Sequence, residues 1–201
     1  MELHILNINN ITQEMQHVVA ERLPLRYARS QRFKREQDSL RCLGVGVLLL
    51  KIFPDLRESD LKTNENGKLF VENGLEFNVS HSGSYVVLVA DNQHVGIDIE
   101  KIRERHFQVA SKVFTAEEIT WMNDDVLHRF FTLWTQKESL VKAVGCGITV
   151  PLDSFSVMPF QKGKPIVYNG SQWFCKSVEY EGYMLSVCAK QQILEFRLSN
   201  L

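Results

Sequence analysis

Residues 84–100, "SYVVLVADNQHVGIDIE", constrain the fold more than any other stretch of this chain. Two runs rich in Val, Ile and Leu are split by Asp91, Asn92 and Gln93, which predicts two strands joined by a short turn. With "LEFNVS" just upstream, the pattern predicts an antiparallel sheet. The second run also carries two acids. Strand side chains alternate, so Asp98 and Glu100 share one face, about 6–7 Å apart along the backbone, while Ile97 and Ile99 share the other. Gly96 lies on the acid-bearing face, where its missing side chain admits a ligand or another backbone at close range. A half-buried strand with one wet face accounts for such a pair of acids by itself. Two carboxylates so placed can equally share one ion.

The rest of the chain supplies helices to pack on such a sheet. From Pro24 to Phe53 the pattern predicts one long helix, basic at its beginning, apolar later through Leu40, Leu43, Val47 and Leu50, and stopped by Pro54. "TAEEITWM" opens with Thr115 and has Glu118 three residues on, a capping box, and "HRFFTLWTQKESLVKAVG" predicts a second strong helix closed by Gly145. "MELHILNINN" reads as a first strand. "SFSVM", "KPIVY", "WFCKSVEY" and "YMLSVCAK" read as later ones. Helices on antiparallel sheets make an α+β fold.

Composition removes several classes of function. The 201 residues are 44% hydrophobic and 23% charged, enough for a substantial core. Lys and Arg number 23 against 24 Asp and Glu, for a formal charge of -1, so no whole-chain field points to nucleic acid or an acidic membrane. The apolar stretch "CLGVGVLLLKIF" is well short of the roughly 20 residues that span a bilayer. "MELHILNINN" lacks the cationic start of a signal peptide, so a cytoplasmic monomer is expected. Cys42, Cys146, Cys175 and Cys188 form no C-x-x-C pair and are expected to be reduced packing residues.

Within "WTQKESLVKAVG", Trp134, Glu138 and Lys142 recur every four residues on one helical face. Alone, Glu138 and Lys142 make an exposed ion pair contributing about 0.3–0.5 kcal/mol. If this helix crosses the Asp98 strand, three carboxylates converge with one ammonium, an excess of negative charge that asks for a cation or a raised pKa. Oxygen donors without Cys or clustered His favour Mg²⁺ over zinc. Open coordination positions would then suit phosphate oxygens. The basic helix supports an anionic ligand: Arg26, Arg29 and Arg32 share a face by i, i+3 spacing, as in either a phosphate site or a merely solvated surface. Lys68 follows a turn glycine, and Ser80 and His81 stand at a strand end.

"FNVSHSG", "VGIDIEKIR" and "FFTLWTQKESLVKAVGCGI" resemble, in order and spacing, the signature segments of the 4′-phosphopantetheinyl transferases of the larger, Sfp (surfactin-synthetase-activating) type. The resemblance covers roughly residues 22–158, since the basic helix, "NENGK" and "PLDSFSV" also match. It implies two similar α+β halves, residues 1–103 and 104–201, related by a pseudo-twofold axis with coenzyme A in the cleft between them. It implies transfer of the phosphopantetheine arm of coenzyme A to a serine of an acyl or peptidyl carrier protein, with release of adenosine 3′,5′-bisphosphate and Mg²⁺ as the metal. By position it makes Asp98, Glu100 and Glu138 the metal acids, Lys142 the catalytic lysine, Lys68, Ser80 and His81 coenzyme A contacts, and Arg26 and Arg29 the cations for the 3′-phosphate. One departure stands at Leu69, where the family commonly has proline after the glycine-lysine pair.

Two other readings use the same residues. Acids on a strand, a lysine and a basic helix also suit a Mg²⁺-dependent nuclease, which would cut DNA without coenzyme A. A non-catalytic module binding a carrier protein or nucleic acid would work in EDTA and tolerate loss of Glu138.

Overall fold

A computed structural model describes residues 1–72, 74–104, 107–147, 150–158, 164–193 and 197–200. Its strands are β1 (Glu2–Asn7), β2 (Leu61–Thr63), β3 (Leu69–Val71), β4 (Glu76–Ser82), β5 (Tyr85–Asp91), β6 (Val95–Lys101), β7 (Ile166–Tyr168), β8 (Ser171–Tyr180), β9 (Tyr183–Ala189) and β10 (Arg197–Asn200). Its helices are α1 (Gln13–Arg22), α2 (Pro24–Ser30), α3 (Glu36–Ile52), α4 (Ala116–Met122) and α5 (Val126–Val144).

The α+β architecture is built on two four-stranded sheets, ordered β10-β1-β5-β4 and β6-β9-β8-β7, with β2 and β3 forming a separate ribbon. Among the described residues only β1 and β10 pair in parallel. Val86, Leu88 and Ala90 of β5 turn toward α1 and α3, joining Val19, Leu43, Leu48 and Leu49. Tyr85, Val87 and Val89, on the opposite face, meet Ile97 and Ile99 of β6 and Leu185 and Val187 of β9 in a core between the sheets. A third core packs α5, through Phe130, Phe131 and Leu140, on the outer face of the second sheet. The order of layers is therefore helices, sheet, sheet, helix.

This layering explains where sequence expectations fail. The hairpin predicted at residues 91–93 does not form: β5 pairs with β1 and β4, and β6 pairs with β9. The short segment between them carries the chain from one sheet to the other. β5 is apolar on both faces because both are covered. The single helix predicted over 24–53 is two, because the chain turns between Gln31 and Arg35 and α2 folds back on α1 and α3. "SFSVM" forms no strand, since the side chains of Lys137 and Glu118 occupy backbone groups in and just before that segment: Leu152 O, Phe155 O and Val157 N–H.

Both helix-cap expectations stand. The Thr115–Glu118 box is formed in both directions, with Thr115 N–H 2.8 Å from Glu118 Oε2 and Glu118 N–H 3.3 Å from Thr115 Oγ1. Gly145 closes α5 at a φ of 78°, a conformation that favours glycine. Cys42 and Cys188 are buried, and all four thiols are free. No described helix is long and apolar enough to cross a membrane.

β6 pairs with β9 although it precedes residue 104, and β10 pairs with β1 although it follows it. Gly96 sets how closely α5 approaches β6: a Cβ there would stand 2.1 Å from Ser139 O and 2.3 Å from Ala143 N. Of the two occupants its missing side chain could admit, it admits the helix backbone that carries Glu138 and Lys142.

Candidate active site

A cleft of about 780 Å³ opens between α2, α3 and the tip of the β2–β3 ribbon on one side and β6 and α5 on the other. Arg26, Arg29, Lys68, Ser80, His81, Asp98, Glu138 and Lys142 all line it. Glu100, one residue pair further along β6, lies outside the lining.

Lys142 does not pair along its own helix with Glu138. Its ammonium reaches across to the facing edges of β6 and β4 and spends three donors there, on Asp98 Oδ1 at 2.6 Å, Ser80 Oγ at 3.1 Å and Ile97 O at 3.2 Å. Ser80 donates in turn to Asp98 Oδ1 at 2.8 Å. Asp98 Oδ2 is buried and accepts no hydrogen bond, a costly state for half a carboxylate. Burial raises the pKa of Glu138 above the ordinary glutamate range; Lys142 opposes the shift, and the charges of Asp98 and Glu100 add to it. Glu138 is thereby a better proton acceptor than a free carboxylate.

The edge of β6 organises much of this chemistry. Strand pairing with β9 satisfies one side of β6, and the other side faces β4 without a backbone ladder. Side chains meet the exposed groups instead. Lys68 Nζ donates to Val95 O at 3.3 Å, Asn78 Oδ1 accepts from Ile97 N–H at 2.9 Å, Lys142 takes Ile97 O, and Ser82 Oγ accepts from Lys101 N–H at 3.1 Å. Two lysines from different elements are thus anchored to consecutive outward carbonyls of one strand.

Among the other lining residues, Arg26 has its pKa lowered mainly by burial, and its Nε is buried without a partner among the described residues. Arg29 lies one turn on and is exposed. Burial also lowers the pKa of Lys68, against the pull of Glu76 at 3.5 Å. Loss of surrounding water, and then the Arg41 cation, lower that of His81.

Sequence reasoning did not single out Arg41, Asn66, Asn78 or Ser82. Arg41 pairs with Asp38 and donates to Gly83 O at 2.7 Å, where it lines the cleft. Its i, i+3 partner Asp38 was a readable signal. Asn66 Nδ2 donates to Gly145 O at 2.9 Å, so the ribbon tip touches the end of α5 across the cleft mouth. No local pattern marks that contact.

Asp98, Glu100 and Glu138 offer the hard oxygen donors that suit Mg²⁺, and Asp98 Oδ2 is an acceptor with nothing to accept from. The donor chemistry fits the ion. The expected trio is not assembled as a ready ligand set, however: among the described residues no three His, Cys, Asp or Glu side chains are grouped to hold a metal. Lys142 is seated on Asp98, and Ser82 donates to Glu100 Oε2 at 2.9 Å.

Residues 94–188 match the model of the 4′-phosphopantetheinyl transferase superfamily. The chain is 33% identical to the 4′-phosphopantetheinyl transferase Sfp of Bacillus subtilis (strain 168), over 83% of this chain and 81% of that protein. It is 32% identical to the transferase ffp of Bacillus subtilis, over 79% and 78% of the two chains. With the transferase gsp of Aneurinibacillus migulanus it shares 35% identity, over 64% and 57%. Among solved structures it overlaps the holo-[acyl-carrier-protein] synthase of Thermotoga maritima over 50% of this chain and 64% of that one, at 13% identity and a TM-score of 0.35.

Proposed function

Since the chain belongs to the 4′-phosphopantetheinyl transferases of the Sfp type, we propose that it moves the phosphopantetheine arm of coenzyme A to a serine of an acyl or peptidyl carrier protein. One observation carries this reading: a single cleft is lined both by the cations Arg26, Arg29 and Lys68 and by the acid-ammonium group Asp98, Glu138 and Lys142. Its volume of about 780 Å³ is in the range of cofactor-sized sites. Arg26 and Arg29 bind the 3′-phosphate, and Lys68, Ser80 and His81 contact the rest of coenzyme A. Residues 1–103 and 104–201 are the two halves that hold it, each lending one strand to the other's sheet. The enzyme works as a monomer in the cytoplasm.

The carrier serine oxygen attacks the β-phosphorus of coenzyme A, forming a P–O bond there. The bond from that phosphorus to the bridging oxygen breaks, and adenosine 3′,5′-bisphosphate leaves with the electron pair. The serine proton passes to Glu138 or to a water that Glu138 orients. Lys142, held against Asp98, presents positive charge to the phosphates. Asp98, Glu100 and Glu138 would hold Mg²⁺, which when bound supplies further charge at the diphosphate.

Intact-mass measurement of several apo carrier proteins after incubation with the enzyme, coenzyme A and Mg²⁺ tests the reading. A gain of one phosphopantetheine, lost in EDTA, is expected. No gain on carriers from fatty acid, polyketide and nonribosomal peptide synthesis alike, or DNA cleavage without coenzyme A, would overturn it.

A further inference from the structure

A strand edge left without a partner presents amides and carbonyls that must be met by something else. β4 and β6 are facing edges of this kind. Along β4 the residues Asn78, Ser80 and Ser82 alternate onto one face, toward β6. Asn78 satisfies an amide of β6, and Ser80 bonds Asp98. Ser82 does both at once. A hydroxyl has one proton to give and lone pairs to accept with. Ser82 gives its proton to Glu100 Oε2 at 2.9 Å and accepts from Lys101 N–H at 3.1 Å. The bond from the Lys101 amide fixes the hydroxyl against the backbone of β6, and the hydroxyl in turn holds one oxygen of the Glu100 carboxylate. Ser82 itself does not line the cleft.

We propose that Ser82 is a positioning residue for the transfer reaction, acting through the Glu100 carboxylate. The proposal rests on the reading above, in which Glu100 helps to hold Mg²⁺. A carboxylate already oriented by an outer hydrogen bond loses less rotational freedom when it captures an ion, and removing such a bond typically costs about 10- to 100-fold in metal affinity or activity. Sealing the edge of β6 is the simpler role for the same hydroxyl. That role predicts a lower unfolding temperature on its loss and nothing else.

The test uses the full chain with Mn²⁺ as a probe, its binding followed by electron paramagnetic resonance without coenzyme A, alongside kcat and the KM for coenzyme A in Mg²⁺. Ser82→Ala should weaken Mn²⁺ binding by about 10- to 100-fold and lower kcat at fixed Mg²⁺, with the KM for coenzyme A unchanged and turnover recovered at raised Mg²⁺. Ser82→Thr keeps the hydroxyl and suits a strand, so it should bind Mn²⁺ as the parent does. Wild-type Mn²⁺ affinity in Ser82→Ala, even with a lower unfolding temperature, would overturn the proposal. Equal loss in the Ala and Thr variants would also overturn it, because the cause would then be packing rather than the hydroxyl. Glu100→Ala separates the two levels: wild-type Mn²⁺ affinity in that variant overturns the metal role of Glu100 itself.

Discussion

Two of the ion pairs that helix α5 makes are of opposite character. Lys137 and Glu118 stand 2.9 Å apart with both side chains fully buried, and Lys142 and Asp98 stand 2.6 Å apart with side chains 28% and 7% exposed. In the first pair the bonding capacity is spent on structure: Lys137 also donates to Leu152 O and Phe155 O, and Glu118 accepts from Thr115 N–H and Val157 N–H. That pair staples α4 and residues 152–157 to α5. In the second pair the ammonium is equally committed, but Asp98 keeps a buried oxygen without a partner. A buried pair with every lone pair met fixes a fold; one with an acceptor left over, facing a cleft, is prepared to bind.

The largest effects should come from breaking the cleft pair. Asp98→Ala is expected to lower transfer by about 10³-fold or more, since it removes both a proposed ion ligand and the anchor of Lys142. Its unfolding temperature should stay near that of the parent. Glu138→Gln should lower kcat by about 10² to 10⁴ with carrier binding little changed, if it accepts the serine proton. Single-turnover rates near wild type in either variant would remove the functional half of the contrast.

Breaking the other pair should show the reverse pattern. Lys137→Ala leaves Glu118 buried without its counter-charge and should cost about 3–5 kcal/mol in denaturant unfolding. Below the unfolding transition its KM for coenzyme A should be unchanged. A small stability loss with a large kinetic one would move Lys137 into the catalytic set.

Arg26→Ala sharpens the contrast elsewhere in the cleft. It should weaken coenzyme A more than dephospho-coenzyme A, by about 1.5–3 kcal/mol for a hydrogen bond to a charged group. Equal losses for both ligands would show that Arg26 serves something other than the 3′-phosphate.

The smallest expected effect concerns stability and pH. Glu138 has a folded pKa above its ordinary value of 4.5, so its ionisation opposes folding once pH rises past that value. Glu138→Gln should therefore be slightly more stable than the parent at neutral pH. The advantage should shrink as pH falls toward 4.5, which thermal unfolding across that range can follow. A variant less stable than the parent at pH 7 would show that the carboxylate is a net support of the fold.

The acids, the lysines and the basic helix face were legible because each rests on a local period: two along β6, and three or four along α2 and α5. What failed was information that no local period carries. β5 is apolar on both faces, so its pattern states burial but not which strands lie beside it, and three polar residues looked like the turn of a hairpin. Gln31–Arg35 holds neither proline nor glycine to mark the break between α2 and α3. Glu118 was visible as a capping residue, but its role as the buried partner of Lys137 depends on α4 crossing α5. Asn78 and Ser82 carried no local signal, because what makes them special is a second strand edge supplied by a different sheet.

The exchange of strands also bears on how this chain is made. A ribosome delivers β1 long before β10, and β6 long before β9, yet each early strand takes a late one as its neighbour. Until β9 and β10 leave the exit tunnel, both sheets have a raw border able to recruit a stranger, the state in which nascent chains aggregate. Neither sheet can be finished while the ribosome still holds β9 and β10. Because β6 carries Asp98 and Glu100, the acids are among the residues whose scaffold is completed last, so an interrupted translation product is expected to be inactive as well as sticky.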